Sequence, residues 1–315
     1  QKLDNRFYQN VSAAAFPMTQ LRYRNDDAAG SIGLGQLDDA AWLSHFGNFE
    51  PFAGSFESPL ALCYHGHQFG QYNPDLGDGR GFLFAQFYDN RNRLMDLGTK
   101  GSGTTPFSRS GDGRLTLKGA VREILATEML QALGVETSRT LSVIETGESL
   151  QRQDEPSPTR SAVLVRLSHS HIRIGSFQRL SYHDDADGIE TLARHVARHY
   201  YATPEYSAVV DADAGLEDLL ADLLQAIASR IAVTAGQWMA AGFVHGVLNT
   251  DNFNVTGESF DYGPWRFLPQ FDAGLTAAYF DQTGRYAYGR QPEAAMWAVC
   301  RLSLIHISEP TRHES

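Results

Sequence analysis

His245-Gly246-Val247-Leu248-Asn249-Thr250-Asp251-Asn252, with Asp261-Tyr262-Gly263 nine residues on, is the stretch on which the reading of this chain turns. Phosphoryl-transfer enzymes write such a loop H-R-D-x-x-x-x-N. There the Asp takes the proton of the attacking hydroxyl, and the Asn holds a metal ion. His245 and Asn252 fall on that frame, but Val247 occupies the place of the proton acceptor, and valine accepts no proton. An acid stands immediately before the Asn, at Asp251. The frame predicts nucleotide and metal machinery kept, with the base displaced to Asp251. The plainer alternatives are a bracing role for Asp251 and an ordinary turn for Asp-Tyr-Gly, whose distance from Asn252 is shorter than kinases usually show.

Upstream, the pattern predicts the small lobe that such a loop requires. Phe82–Tyr88 and Arg93–Lys100 read as a hairpin about the turn Asn90-Arg91-Asn92. A polar Gly/Ser loop, Gly101–Gly113, leads into a helix with Val121, Ile124, Leu125, Met129 and Leu133 on one face and Gly134 as its stop. Thr140–Glu145 and Ala162–Leu167 read as two further strands. Strand, strand, helix, strand, strand fits a kinase-type small lobe. Beyond residue 190 the chain turns helical, with a stripe of Leu216, Leu219, Leu220, Leu223, Ile227 and Ile231 running toward Trp238 and the His245 loop. The expected fold class is α+β, a two-lobed protein-kinase-like fold. Residues 1–60 form an extension with short helices, for instance around Asp38–Phe46. Residues 61–170 form the small lobe, and 171–302 a partial helical large lobe.

Composition bounds the rest. At 315 residues, 42% hydrophobic and 20% charged, the chain can bury a sizeable core. A formal net charge of -11 argues against a nucleic-acid groove, which needs clustered Lys and Arg. Two cysteines, Cys63 and Cys300, make no disulfide framework and fit a reducing compartment. No apolar run approaches the roughly 20 residues of a membrane span. The first residues lack the features of a signal peptide, so no membrane partner and a cytoplasmic location are expected. The absence of an initiator Met leaves the natural start of the chain open.

Individual residues carry the chemistry. Lys100 closes the second hairpin strand and Glu123 lies on the next helix, the elements that carry the phosphate-contacting Lys and its Glu partner. Each alone would be an ordinary surface charge; together, upstream of the loop, they point to a nucleotide site. Asn252 and Asp261 offer the hard oxygen donors that Mg²⁺ prefers. Asp251, as neighbour of a cationic metal, is expected to stay ionised. Gly77-Asp78-Gly79-Arg80-Gly81 would let backbone N–H groups approach a phosphate, although such a string is also a common tight turn. Asp112-Gly113 repeats the theme. Arg166 and Arg173 flank the passage between lobes, where they could clamp a polyphosphate. His195-x-x-x-His199, His65-Gly66-His67 and His169-Ser170-His171 lack the partners of a zinc site and read as polar contacts.

Longer strings then point to a family. Tyr64-His65-Gly66-His67-Gln68-Phe69-Gly70, Leu76-Gly77-Asp78-Gly79-Arg80 and Lys100-Gly101-Ser102-Gly103-Thr104-Thr105-Pro106 belong with Arg122-Glu123, the 245–252 loop and Asp261-Tyr262-Gly263-Pro264. Together they closely resemble the selenoprotein O (SelO, or YdiU-type) family over roughly residues 3–302. The resemblance implies a kinase-like fold that binds ATP in an inverted orientation. It implies transfer of AMP to hydroxyl side chains of proteins, with release of pyrophosphate. It assigns the base to Asp251 and metal binding, Mg²⁺ or Mn²⁺, to Asn252 and Asp261. Nucleotide contacts fall to Gly77, Gly79, Arg80, Lys100, Asp112, Gly113, Arg166, Arg173 and Asp261, with Glu123 positioning Lys100. Use of UTP stays open. The family-like part is shorter than is usual for the family. Residues 303–315 match nothing in it and read as translated adapter or vector sequence. Two rivals stand beside the adenylyltransferase: a kinase-type phosphotransferase, and a non-catalytic ATP-binding pseudokinase scaffold.

Overall fold

The computed structural model describes residues 3–153, 155–203 and 210–308, the last six by backbone alone. In chain order the strands and helices are β1 (Tyr8–Asn10), β2 (Gln20–Arg24), α1 (Asp26–Ser31), α2 (Asp39–Gly47), β3 (Leu60–Leu62), β4 (Gly66–Gln68), β5 (Gln71–Asn73), β6 (Leu83–Tyr88), β7 (Leu94–Lys100), β8 (Leu115–Thr116) and α3 (Leu117–Ala132). Then come β9 (Arg139–Leu150), β10 (Thr159–Ser168), α4 (Ile174–Tyr182), α5 (Ala186–Val196), α6 (Leu216–Ala241), β11 (Phe243–His245), β12 (Trp265–Phe267) and α7 (Gln291–Ser308).

The main sheet is antiparallel, in the order β1-β3-β6-β7-β10-β9-β2, with β8 added on β10. The hairpin β6–β7 and the pair β9–β10 lie where the aromatic and aliphatic runs predict them. Residues 1–60 hold more than short helices, since β1 and β2 form the two edges of this sheet. Side chains alternate across it. On one face Met95 and Leu97 of β7, with Val163, Val165 and Leu167 of β10, pack against Trp42 and Phe46 of α2. On the other, Ala162 and Leu164 meet Ala120 of α3. That second face also carries Asp96, Gly98, Lys100 and Arg166, so the register of two central strands places the charged groups together.

Of the five apolar residues expected on one face of α3, four point outward and Ile124 is partly buried against the sheet. Val121, Leu125, Met129 and Leu133 are exposed, while Ala120, Glu123, Ala126, Thr127 and Leu130 are buried. The reason is local: the inward face carries a charged residue, Glu123, that a periodicity count scores as surface.

The helical part has its own core around α6, whose Leu219, Leu223, Ile227, Ile231 and Trp238 are buried with Phe177, Leu192 and Tyr201. Leu216, the first residue of the predicted stripe, is exposed. Among the described residues α6 is the one helix long and apolar enough to cross a membrane by length and composition. With 44% of that apolar window buried, it reads as a core helix. It ends on Gly242 at φ 64°, the left-handed position that releases the chain into β11 and the His245 loop. Helix α7 carries through Ser308, and residues 309–315 of the tail lie outside the described residues.

Candidate active site

Lys100, the last residue of β7, is buried and donates from Nζ to Glu123 Oε1 on α3 at 2.5 Å and to Asp261 Oδ1 at 2.6 Å. Strand, helix and the Asp-Tyr-Gly turn thus meet at one ammonium. Arg166 Nη1 lies 3.5 Å from the same Asp261 Oδ1, and Arg173 Nη1 3.8 Å from Asp261 Oδ2. Burial alone would raise the pKa of Asp261, but Lys100 and the two arginines hold it well below the usual carboxylate range. Asp261 itself sits at φ 64°, a left-handed conformation that Asp tolerates better than most residues.

Asp251 faces the opposite situation. Its Oδ1 is buried and accepts no hydrogen bond. Burial pushes its pKa up to about 6, against the opposing charge of Arg173. The expectation that a bound metal ion keeps Asp251 ionised concerns the loaded site; among the protein's own groups, burial is the largest influence on it. A carboxylate poised near neutrality is what a general base needs.

The loop carrying Asp251 is pinned from several sides. His245 is buried, its ring lies 3.1 Å from Phe260 O, and its backbone N–H donates to Gln291 Oε1 at 2.8 Å. The loop histidine is thereby tied to the residue before Asp261. The turn β4–β5 supplies the other brace. His67 N–H donates to Thr250 Oγ1 at 2.7 Å and Phe69 N–H to Asn249 Oδ1 at 3.1 Å. The His65 and His67 rings are taken by Tyr72 OH and the Gln178 amide.

One cleft of about 650 Å³ gathers most of the predicted residues: Gly77, Gly79, Arg80, Lys100, Asp112, Gly113, Arg166, Arg173, Asp251 and Asp261 all line it. Two do not. Glu123 stands behind Lys100. Asn252 does not line the cleft, and its Nδ2 donates to Val247 O at 2.9 Å, which leaves its amide oxygen as the end available to a cation. Asp112 pairs with Arg152 at 2.8 Å; burial would raise its pKa, and the Arg152 hydrogen bond brings it down. Gly77 is required by a close approach: a Cβ there would collide with the Phe107 ring, because the 101–113 loop folds back over the 77–81 turn. Ser108 Oγ donates to Gly79 O at 2.5 Å in the same contact.

Several contributors escape a sequence reading. Asp78 accepts from Arg173 Nη2 at 3.2 Å and from Leu62 N at 3.1 Å, so it aims the arginine. The Tyr64 and Phe260 rings both lie against the Arg173 guanidinium, with centroids 4.4 and 4.9 Å away. Arg109 adds another cation to the cleft. Asp78 carried a signal, an acid inside a Gly-rich turn; the aromatic pair carried none, because cation–π partners share no spacing rule.

An antiparallel sheet with a strand Lys bound to a helix Glu, a helical part, and between them a His-anchored loop followed by Asp-x-Gly define a kinase-like protein whose usual base position is apolar. The chain belongs to the SelO family: the family model described as protein adenylyltransferase SelO matches residues 1–308, six residues past the 302 read as the end of the family-like region. A protein nucleotidyltransferase YdiU of Synechocystis sp. is 52% identical over 309 residues, covering 96% of this chain and 62% of the relative. One from Synechococcus elongatus is 51% identical, covering 98% and 59%. The chain thus spans about three fifths of the length of these curated relatives. Among solved structures, ROP2 of Toxoplasma gondii, described as a virulence factor with a protein-kinase fold and no enzymatic activity, matches at TM-score 0.36 and 9% identity over 80% of this chain and 66% of that one. That score is too low to bear on the fold.

Proposed function

We propose that this chain carries the catalytic cleft of an ATP-dependent protein adenylyltransferase, which transfers AMP to Ser, Thr or Tyr hydroxyls of proteins and releases pyrophosphate. The observation that carries the reading is Asp251: a buried carboxylate oxygen with no hydrogen-bond partner, lining a cleft rich in cations, beside a loop whose usual base position is Val247. In this reading Asp251 accepts the proton of the substrate hydroxyl as its oxygen attacks the α-phosphorus. The bond to the pyrophosphate oxygen breaks, and Lys100, Arg166 and Arg173 stabilise the charge that gathers there. Glu123 keeps Lys100 extended into the cleft. Rim groups Arg80, Asp112 and Gly113 contribute further nucleotide contacts.

The donor set suits a hard divalent cation. Asn252 and Asp261 present oxygen donors, and the orphaned Asp251 oxygen adds negative charge beside them. Asn252 and Asp261 would hold Mg²⁺ or Mn²⁺, which when bound neutralises the phosphates. The names of the relatives support nucleotidyl transfer as the class; ATP as donor and protein hydroxyls as acceptors belong to this proposal.

The test supplies ATP labelled at the α- or the γ-phosphate, with Mg²⁺ or Mn²⁺, to this chain and to a full-length relative. Protein-bound label from α and not γ is expected. Label from γ alone would establish a phosphotransferase instead, and ATP binding with neither label a non-catalytic scaffold.

A further inference from the structure

The string His169-Ser170-His171 finds no use in the reading above, yet His171 is buried directly behind the cleft. Arg166 donates from Nε to His171 Nε2 at 3.0 Å, both groups being buried. Guanidinium nitrogens only donate, so His171 Nε2 must offer a lone pair and the ring proton must sit on Nδ1. Nδ1 faces Asp96 Oδ2 at 3.5 Å without a hydrogen bond to it. Asp96 is fixed in turn: its Oδ2 accepts from the His171 backbone N–H at 2.8 Å, and its Oδ1 from Gln86 Nε2 at 2.8 Å. Burial lowers the pKa of His171, which keeps the ring neutral and able to accept.

Strand register explains why the imidazole fits. Arg166 on β10 pairs with Gly98 on β7, and Ser168 pairs with Asp96. A Cβ on Gly98 would collide with His171 Nε2, so the missing side chain makes the space the ring occupies. Arg166 is then held on three sides. Nε is held by His171, its face lies 5.2 Å from the Phe260 centroid, and Nη1 is 3.5 Å from Asp261. The carboxylate–imidazole–guanidinium row ends in the cleft.

We infer that His171 is a positioning residue: anchored through its backbone N–H on Asp96 and seated over Gly98, it aims the Arg166 guanidinium at the phosphate-binding part of the cleft. What Arg166 is aimed at rests on the proposed nucleotide site; the aiming itself does not.

The experiment compares wild type, His171→Gln, which keeps an acceptor on a shorter side chain, and His171→Leu, which fills much of the space without one. Three readouts are taken: melting temperature, ATP affinity by calorimetry with Mg²⁺, and the ¹⁵N-edited Nε–H resonance of Arg166, assigned by its loss in Arg166→Lys. In wild type that resonance should exchange slowly. His171→Leu should lose the protection and weaken ATP binding about tenfold, the scale of one buried donor left unpaired. His171→Gln should recover most of both. A His171→Leu protein that melts lower yet keeps the Arg166 signal and the ATP affinity would make the residue merely structural and overturn the inference. If no variant, wild type included, binds ATP while the Arg166 signal follows the acceptor, the nucleotide reading fails and the positioning stands. Should His171→Leu not fold, the wild-type ring ¹⁵N shifts decide: a neutral ring protonated on Nδ1 supports the inference, and one protonated on Nε2 overturns it.

Discussion

Asp251 and Asp261 line the same cleft, ten residues apart, and their surroundings pull them in opposite directions. Asp261 has three cations within 4 Å and is held ionised far below the ordinary range. Asp251 has one buried oxygen without a partner, and burial raises it to about 6. One carboxylate is thus a permanent anion, and the other can take up and give back a proton near neutral pH. Paired carboxylates with separated pKa values are how a site divides its work between charge and proton transfer.

The largest break in this contrast should come from Asp261→Ala. It removes the group that binds Lys100, Arg166 and Arg173 together, leaving three buried cations to repel one another. α-Phosphate transfer should fall below detection, at least about a thousandfold, and the melting temperature should drop. The sign of the pH dependence follows from the depressed pKa. The stability contributed by Asp261 is present above the unfolded carboxylate pKa and is lost as pH falls through the lower folded value. The variant should therefore lose least relative to wild type in strong acid, which denaturation midpoints across pH would show.

Asp251→Asn should separate binding from chemistry. Transfer should fall about 10²–10⁴-fold, the range of a lost general base, with ATP affinity kept. Stability should move the other way. A folded pKa raised from 3.8 to about 6 means that ionised Asp251 opposes folding, an effect absent below the unfolded value and complete above the folded one. The neutral amide removes a penalty on the order of 3 kcal/mol at pH 8 and almost none at pH 3. Equal stabilisation at both pH values, in metal-free buffer, would contradict the contrast.

Gly66→Ala sharpens the contrast by geometry alone. The added Cβ would sit 2.9 Å from Asp251 Oδ1 and 3.2 Å from Leu76 Cδ1. A loss in kcat of about tenfold is expected from misplacing a reacting group, with the KM for ATP nearly unchanged; equal effects on both would mean that the β4 strand merely folds the cleft. The smallest effect belongs to Leu125→Ser on the outward stripe of α3. It should cost this chain less than about 0.5 kcal/mol by chemical denaturation, whereas a residue facing the sheet would cost several times more.

These outcomes bear on what a reader of the sequence could know. The hairpin β6–β7, the pair β9–β10, the helix α6 and the strand Lys with its helix Glu all follow from short-range pattern. Alternation, turn residues and apolar spacing record which backbone geometry each segment adopts. They do not record which side of an element is covered. Helix α3 shows the failure: its buried face contains Glu123 and Thr127, and its exposed face contains Leu125 and Met129, because the buried ion pair with Lys100 outweighs hydrophobic contrast there.

The chemistry divides along the same line. Residue types and their order along the chain pointed to an acid before Asn252, oxygen donors at Asn252 and Asp261 and a set of cations, since those are properties of individual side chains. Tertiary structure decided the rest: that Asp261 is ringed by three cations while one oxygen of Asp251 is left unpartnered, that Asn252 turns its amide nitrogen toward Val247, and that Arg166 leans on an imidazole set over Gly98. A pKa, a rotamer or a vacant lone pair depends on everything within a few ångströms, and those neighbours come from strands and loops far apart in the chain, as Arg173 and Phe260 lie 87 residues apart and Gly66 and Asp251 lie 185.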